Sequence, residues 1–325
     1  MNDTASDVGI QFSVIIPHYN SPMLLKKLLL TIPEDNDIEV IVVDDRSDQY
    51  PEETEEVIRY IAERKNAVFL RNETGPKGAG TCRNLGMEKA KGQWLLFADA
   101  DDFFVENAFQ AIRESINQEA DLLFFTPCSV YLDTGEPAER TGRYERLVRA
   151  YMKDSSDSNE TLLRYQFTPP WSKVYRRSMI RDNHVLFEET LVSNDIMFSM
   201  RAAYCAKRIA ASERQIYCVT RSSGSLTTVH NKEWLHIRAQ VFVESYCFLK
   251  GCLDPAAFES LEMTGMKWIW EAILGKYGFS ELLYILKLYK KNHVRILLPK
   301  HMNVFADIHM LLHKLFRRSR ENKHQ

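Results

Sequence analysis

The chain has 325 residues, 45% of them apolar and 26% charged, with a formal net charge of −2. That length allows one large domain or two modest ones, and the composition excludes disordered, fibrous and membrane-embedded classes. Six scattered cysteines form no CxxC pair and no zinc-type Cys/His spacing, which excludes a small disulfide-stapled scaffold and favours a reducing compartment.

The N-terminal stretch MNDTASDVGIQFSVIIP has no cationic region followed by an apolar core, so no signal peptide is expected. No spanning helix is expected either, since about 18 uninterrupted apolar residues never occur together. Residues 12–16 (FSVII) and 38–43 (IEVIVV) are short β-branched runs that read as strands buried on both faces. Between them, residues 22–31 carry a helical pattern, with Ser21 placed as the cap and Pro22 in the first turn. A charged helix over 52–64 follows, then a strand at 67–70, a helix over 81–91 ended by Gly92, and a strand at 94–98. A helix over 105–117 and a strand at 121–125 complete the alternation. Strands alternating with helices predict an α/β fold with an open, mostly parallel sheet, in which ligands bind beyond the carboxyl ends of the strands.

The rhythm then breaks. Residues 133–160 are polar and read as loop, followed by a helix at 191–205 and a strand at 214–220. From Lys232 the pattern is helical almost throughout, including 281–298 and 304–318. Charge is uneven: from Lys287 onward ten Lys/Arg stand against two acids, +8, which leaves −10 on the remainder. A basic tail on an acidic body calls for an anionic partner.

Asp44, Asp45, Asp99, Asp101 and Asp102 all fall at predicted strand ends. Three carboxylates within four residues repel one another unless a cation neutralises them, and oxygen-only ligation suits Mg²⁺ or Mn²⁺. The competing explanation is Asp capping of the helix near Val105. Asp44-Asp45-Arg46-Ser47 reads equally as a site for a base or ribose and as a strand-exit turn bonding its own backbone. In GPKGAGTCRNLG (75–86), glycines, Lys77 and Arg83 at a helix entry favour an anion. The segment is neither GxGxxG nor a Walker A sequence.

Five segments in order resemble the family 2 glycosyltransferases, inverting enzymes of the GT-A fold, in their bacterial surface-polysaccharide branch. They are VIIPHYN (14–20), VVDDRS (42–47), CRNLGMEKAKGQWLLFADADD (82–102), PWSKVYRR (170–177) and SNDIMFSM (193–200), and the likeness covers roughly residues 12–225. It implies a Rossmann-like GT-A catalytic domain over 1–228, with the nucleotide sugar at about 12–125 and the acceptor side at about 160–228. A helical C-terminal region fills 229–325.

By the same resemblance, Pro17, Tyr19 and Asn20 border the nucleotide pocket, with Asp45 near the base and Arg83 and Asn84 lining it; Asp44 is a further nucleotide-binding candidate. Asp99 and Asp101 form a DxD motif, Asp101 as direct metal ligand and Asp99 nearer ribose and metal. Asp195 is the catalytic base, Trp171 and Lys173 flank the acceptor, and His230 is a candidate third metal group. Three departures stand out: Cys82 replaces the usual Ala, Asn194 stands where a Glu usually precedes the base, and 221–230 matches only loosely.

The implied reaction is inverting transfer of a sugar from a nucleotide diphosphate donor, UDP by the resemblance, to an acceptor hydroxyl. Mn²⁺ or Mg²⁺ would neutralise the leaving diphosphate, and Asp195 would take the acceptor proton. The expected partners are the donor, a glycan or lipid-linked glycan acceptor, and an anionic membrane met by the basic tail. The expected location is cytoplasmic, peripheral on the inner face of the plasma membrane. Nucleic acid is not expected, because no recognised module accompanies the charge. Two other functions remain open: a sugar nucleotidyltransferase, whose Gly-rich loop should follow the first strand, and a non-catalytic nucleotide-sugar-binding assembly subunit.

Overall fold

The computed structural model describes residues 9–116, 118–221, 231–275 and 277–298. Two compact units divide the chain at 237/238, and one helix, α9 (Lys232–Cys252), runs from the first into the second.

The first unit is built on an eight-stranded sheet with strand order β3-β2-β1-β4-β7-β6-β8-β5. Its strands are β1 (Phe12–His18), β2 (Ile38–Asp44), β3 (Ala67–Arg71), β4 (Trp94–Phe97), β5 (Phe103–Phe104), β6 (Leu122–Tyr131), β7 (Lys173–Arg176) and β8 (Ile209–Arg221). The β1–β2, β2–β3, β1–β4 and β6–β8 pairings are parallel, and the other three are antiparallel. Every residue of β1 and β2 is buried, as their unbroken β-branched runs predict. Two buried polar side chains in these strands satisfy each other: Ser13 donates to Glu39 at 2.6 Å, and the backbone N–H of Gly92 reaches both.

The helices are α1 (Pro22–Leu30), α2 (Pro51–Glu63), α3 (Ala79–Lys89), α4 (Ala108–Ser115), α5 (Gly142–Lys153), α6 (Asp157–Gln166), α7 (Arg177–Asp182) and α8 (Asn194–Cys205). Buried Arg64 caps the end of α1 from outside, donating to the carbonyls of Leu29 and Ile32 at 2.7 and 2.8 Å. Strand order around β1 reverses between β2 and β4. That is the switch point where an open α/β sheet leaves a crevice, here bordered by His18, Asp44 and the residues after Phe97.

Several local expectations are corrected. Residues 133–160, read as loop, contain α5 and the start of α6. Only Val148 of α5 is fully buried, so its polar surface hid the pattern, and i,i+4 pairs such as Arg149–Glu145 and Arg164–Glu160 support these surface helices. Ser21 makes no side-chain cap; its N–H instead donates to His18 Nε2 at 3.2 Å. The helix expected from Val105 begins at Ala108, and Phe103–Phe104 just before it form an edge strand.

In the second unit, α10 (Pro255–Ser260) is capped by Asp254, which accepts from Ala256 and Ala257 N–H. It is followed by α11 (Met266–Leu274) and α12 (Phe279–Lys291). The helix expected over 281–298 stops at Lys291, because His293 adopts a left-handed φ of 52°. The expected helix at 304–318, and with it most of the basic tail, lies outside the described residues.

Glycines of the 75–86 segment serve close packing. A Cβ at Gly80 would lie 2.1 Å from the Glu188 carbonyl oxygen, and one at Gly78 (φ +140°) 2.9 Å from that of Thr190. Both contacts press α3 against the approach to α8. Gly80→Ala should therefore destabilise the protein by about 1–3 kcal/mol through overpacking. A fall of several degrees in thermal midpoint would register it, and an unchanged midpoint would remove this packing role.

Candidate active site

The crevice begins with four ties among the loops after β1, β2 and β3. His18 donates from Nδ1 to Asp44 at 2.9 Å while its Nε2 accepts from Ser21, which fits the neutral Nδ1–H tautomer. Asp44 also accepts from the Ser47 N–H at 3.0 Å and hydroxyl at 2.5 Å. Burial opposes its charge, but the bonds from His18 and Ser47 win and hold its pKa below the ordinary value. Asn20, at a left-handed φ of 51°, accepts from the N–H of Asp48 and Gln49 at 3.0 Å and donates to Asp48. Asp45 accepts from Asn72 and from the Gly78 N–H, both at 2.8 Å. An internal carboxylate thus meets the N-terminus of α3, where the sequence suggested an external anion. Pro17 is buried in β1, whereas Tyr19 is 48% exposed with the Lys77 ammonium 4.7 Å from its ring centre.

The opposite wall is organised by Arg83. Buried on α3, its guanidinium donates to Asp99 Oδ1 at 2.6 Å and to Asn194 Oδ1 at 2.8 Å, and lies over the Phe187 ring at 5.2 Å. Asn84, the next residue, exchanges two hydrogen bonds with the Phe187 backbone at 3.0 and 2.9 Å. Asn194 keeps the acceptor that a Glu would offer, without its charge.

The acidic turn 99–102 closes on itself through the Asp102 N–H to Asp99 carbonyl bond at 3.0 Å. Asp102 is buried and committed: it accepts from Tyr217 Oη at 3.0 Å and Thr220 N–H at 2.7 Å. It does not cap α4. Asp101 is exposed at the lip, and a cavity of about 300 Å³ opens beside it, lined by Leu24, Lys27, Phe103, Tyr131 and Thr220 among others. The surrounding protein and then the Asp99 carboxylate raise the Asp101 pKa above the ordinary range. Among the described residues, no group of three or more His, Cys, Asp or Glu forms a metal cage, and His230 lies outside them.

Asp195 occupies the first turn of α8 directly after Asn194, which brings it to the Arg83 and Asp99 side of the crevice. Burial raises its pKa, with Asp99 adding to the rise while Arg83 and Lys173 pull it down. Trp171 and Lys173, expected on the acceptor side, are both buried. Trp171 stacks on Tyr217 with centroids 6.0 Å apart. Lys173 donates to the Phe167 carbonyl between the Phe124 and Phe167 rings, and burial lowers its pKa to about 7. Sequence reasoning missed Tyr217, Thr220, His18 and Asn72, whose roles depend on pairings across as many as 119 positions.

A mostly parallel sheet flanked by helices, with a crevice at its switch point, fits the GT-A fold. This chain belongs to glycosyl transferase family 2, whose model matches residues 13–183, more than half its length. It is similar to poly(ribitol-phosphate) β-N-acetylglucosaminyltransferase TarS of Staphylococcus aureus, 29% identical over 224 residues, covering 66% of this chain and 36% of that one. It is also similar to the uncharacterized glycosyltransferase EpsJ of Bacillus subtilis, 23% identical, covering 68% and 64%. The chain thus spans about a third of the length of the S. aureus relative. A structure of TarS residues 1–349 with UDP-GlcNAc superimposes with a TM-score of 0.64 at 20% identity, covering 87% of this chain and 81% of that one. A Pyrobaculum calidifontis mannosyltransferase with GDP-Man and Mn²⁺ gives 0.53 at 17% identity, covering 97% and 85%.

Because burial disfavours charge at Asp195, replacing it with Asn should leave the thermal midpoint unchanged or raise it at neutral pH. The sign follows from the raised pKa: the destabilisation builds as pH rises above the unfolded-state carboxylate pKa and is complete once it exceeds the raised folded-state value. In wild type the acid limb of the kcat/KM profile should lie above the ordinary carboxylate pKa of about 3.9. Lys173→Met should push it higher by removing a nearby positive charge. An acid limb at or below the ordinary value would contradict the burial of Asp195.

Proposed function

We propose that this chain transfers a sugar from a uridine diphosphate donor to a hydroxyl of a glycan or lipid-linked glycan, with inversion, in the synthesis of cell-surface polysaccharide. The observation that carries this reading is Arg83, whose guanidinium joins the acidic turn to the residue beside Asp195. In this reading Tyr19 offers the base an exposed aromatic face at the rim, and the Asn20, Asp44 and Asp45 ties fix the loops around it. Asp195 accepts the proton of the attacking hydroxyl, a contribution of roughly 10²–10⁴-fold. The raised pKa makes it a stronger base than a solvated carboxylate. Attack on the face opposite the diphosphate inverts the anomeric carbon.

Asp101, with Asp99, would hold Mn²⁺ or Mg²⁺, metals that take one or two protein carboxylates and complete their shell with water and phosphate oxygens. The like-charged turn suits such an ion, and Asp102 is left out because Tyr217 and Thr220 occupy it. Bound there, the ion supplies charge neutralisation to the leaving diphosphate. The S. aureus relative, by its name an N-acetylglucosaminyltransferase and solved with UDP-GlcNAc, supports the uridine nucleotide. The nucleotidyltransferase alternative is disfavoured because GPKGAG follows β3 and not β1.

Donor and metal are read together by thermal shift, since a ligand that binds only the folded state raises its midpoint. A UDP-sugar with Mn²⁺ should stabilise the protein more than either alone, and transfer should stop with EDTA and return with Mn²⁺. Asp101→Ala should abolish both effects. A response to GDP-sugars alone would replace the nucleotide assigned here, and EDTA-resistant transfer would remove the metal.

The reading places the enzyme on the cytoplasmic face of the plasma membrane, held by the +8 segment from Lys287 onward. Among the described residues, no helix is long and apolar enough to cross a membrane. Sedimentation with anionic but not neutral liposomes at low salt is expected, and indifference to lipid charge would refute peripheral attachment.

A further inference from the structure

One buried tyrosine reaches the acidic turn without being part of the crevice surface. Tyr217 on β8 has no exposed area, and its hydroxyl accepts from the Asp99 N–H at 2.8 Å while donating to Asp102 Oδ2 at 3.0 Å. Three residues further along the strand, Thr220 donates its N–H to Asp102 Oδ1 at 2.7 Å and its hydroxyl to the Asp101 carbonyl at 2.7 Å. All three aspartates of the turn are therefore tied to β8, each through a different atom.

The tyrosine cannot reorient. Phe104 meets its ring edge-on at 5.3 Å, and Trp171 stacks on it at 6.0 Å with an interplanar angle of 16°. A phenol has a single proton. Accepting from the Asp99 N–H leaves that proton for Asp102, so the hydroxyl fixes both ends of the turn at once. Without such a bracket, carboxylates of like charge would move apart.

Resting on the glycosyltransferase reading above, we propose that Tyr217 is a positioning residue for donor binding: its hydroxyl, assisted by Thr220, sets the placement of Asp99 and Asp101 that receives the metal–diphosphate group. Tyr217 itself touches neither donor nor acceptor. A tyrosine that merely fills the core would do so with its ring, whereas positioning resides in the hydroxyl. The two roles separate in Tyr217→Phe, which keeps the stack on Trp171 and deletes one oxygen.

The test uses the full chain and calorimetric titration of UDP at a series of Mn²⁺ concentrations, with circular dichroism to verify folding. Tyr217→Phe should raise the Mn²⁺ concentration for half-maximal UDP binding by about tenfold, the scale of one buried polar contact left unmade. Acceptor KM should not change. Thr220→Val, which preserves side-chain shape and the backbone bond to Asp102, should shift the metal requirement in the same direction by a smaller factor. Tyr289→Phe is the control, a buried tyrosine of the second unit whose hydroxyl has no partner among the described residues, and should leave it unchanged.

Wild-type metal dependence in both Tyr217→Phe and Thr220→Val would overturn the proposal while leaving the donor-site reading intact. UDP binding by wild type that ignores Mn²⁺ would overturn the donor-site reading and the proposal together. Should Tyr217→Phe fail to fold, Thr220→Val decides: an unchanged metal requirement overturns the proposal, and a raised one supports it.

Discussion

The site depends on one buried cation. Arg83 is 6% exposed in its side chain and is held by Asp99 and Asn194, two residues 95 positions apart on the acidic turn and on α8. Removing one partner of a buried charge pair typically costs 3–5 kcal/mol, because the remaining charge is left without compensation. Lysine could not take its place, since a single ammonium cannot present a planar fork to two acceptors at fixed angles. Asn194 gives this node its character. With an amide in place of a carboxylate, the positive charge of Arg83 is offset by Asp99 alone and still acts on Asp195. The guanidinium that steadies the acidic turn thus also contributes to the field at Asp195.

Carboxylates around the crevice divide into two groups by what they already hold. Asp44, Asp45 and Asp102 are buried and spend their lone pairs on histidine, serine, asparagine, tyrosine and backbone donors. They are ties that keep loops from β1, β2 and β4 in register with β3 and β8. Asp99, Asp101 and Asp195 are the acids left at the crevice surface. Burial strengthens repulsion among nearby acids: internal donors outweigh it at Asp44, whereas at Asp102 desolvation and the Asp101 and Asp99 carboxylates win and raise the pKa despite the bonds from Thr220 and Tyr217. Adjacent aspartates such as Asp101 and Asp102 therefore differ in kind: one turns out to the lip and the other inward to β8.

Much of this architecture is legible from residue order. Short, nearly all-apolar runs located β1, β2 and β4, and the DADD cluster after WLLFA marked the end of β4 as the chemical corner. Both signals are local, and burial on two faces leaves a strand no other composition. What stayed hidden is non-local or polar. The register of β8 brings Tyr217 and Thr220 to the acidic turn, and nothing within QIYCVT distinguishes them from ordinary strand residues. Helices α5 and α6 were invisible for the opposite reason: their contacts with the core are so few that a mostly charged surface masks the period. The glycines of 75–86 were visible, but their function is to admit the Glu188 and Thr190 carbonyls.

The Trp171–Ser172–Lys173 entry to β7 shows how buried residues can shape a crevice from beneath its surface. Trp171 supports the ring that brackets the acidic turn, and Lys173 lies near Asp195 as a buried ammonium with one carbonyl acceptor and three aromatic rings around it. An ammonium so placed is poorly hydrated, and its pKa near 7 means its charge changes within the working range of most enzymes. Below that pH its charge favours the ionised form of Asp195. Above it that support is lost and the pKa of Asp195 rises further. A solvated lysine could not do this, since at its ordinary pKa of about 10.4 it would stay charged throughout.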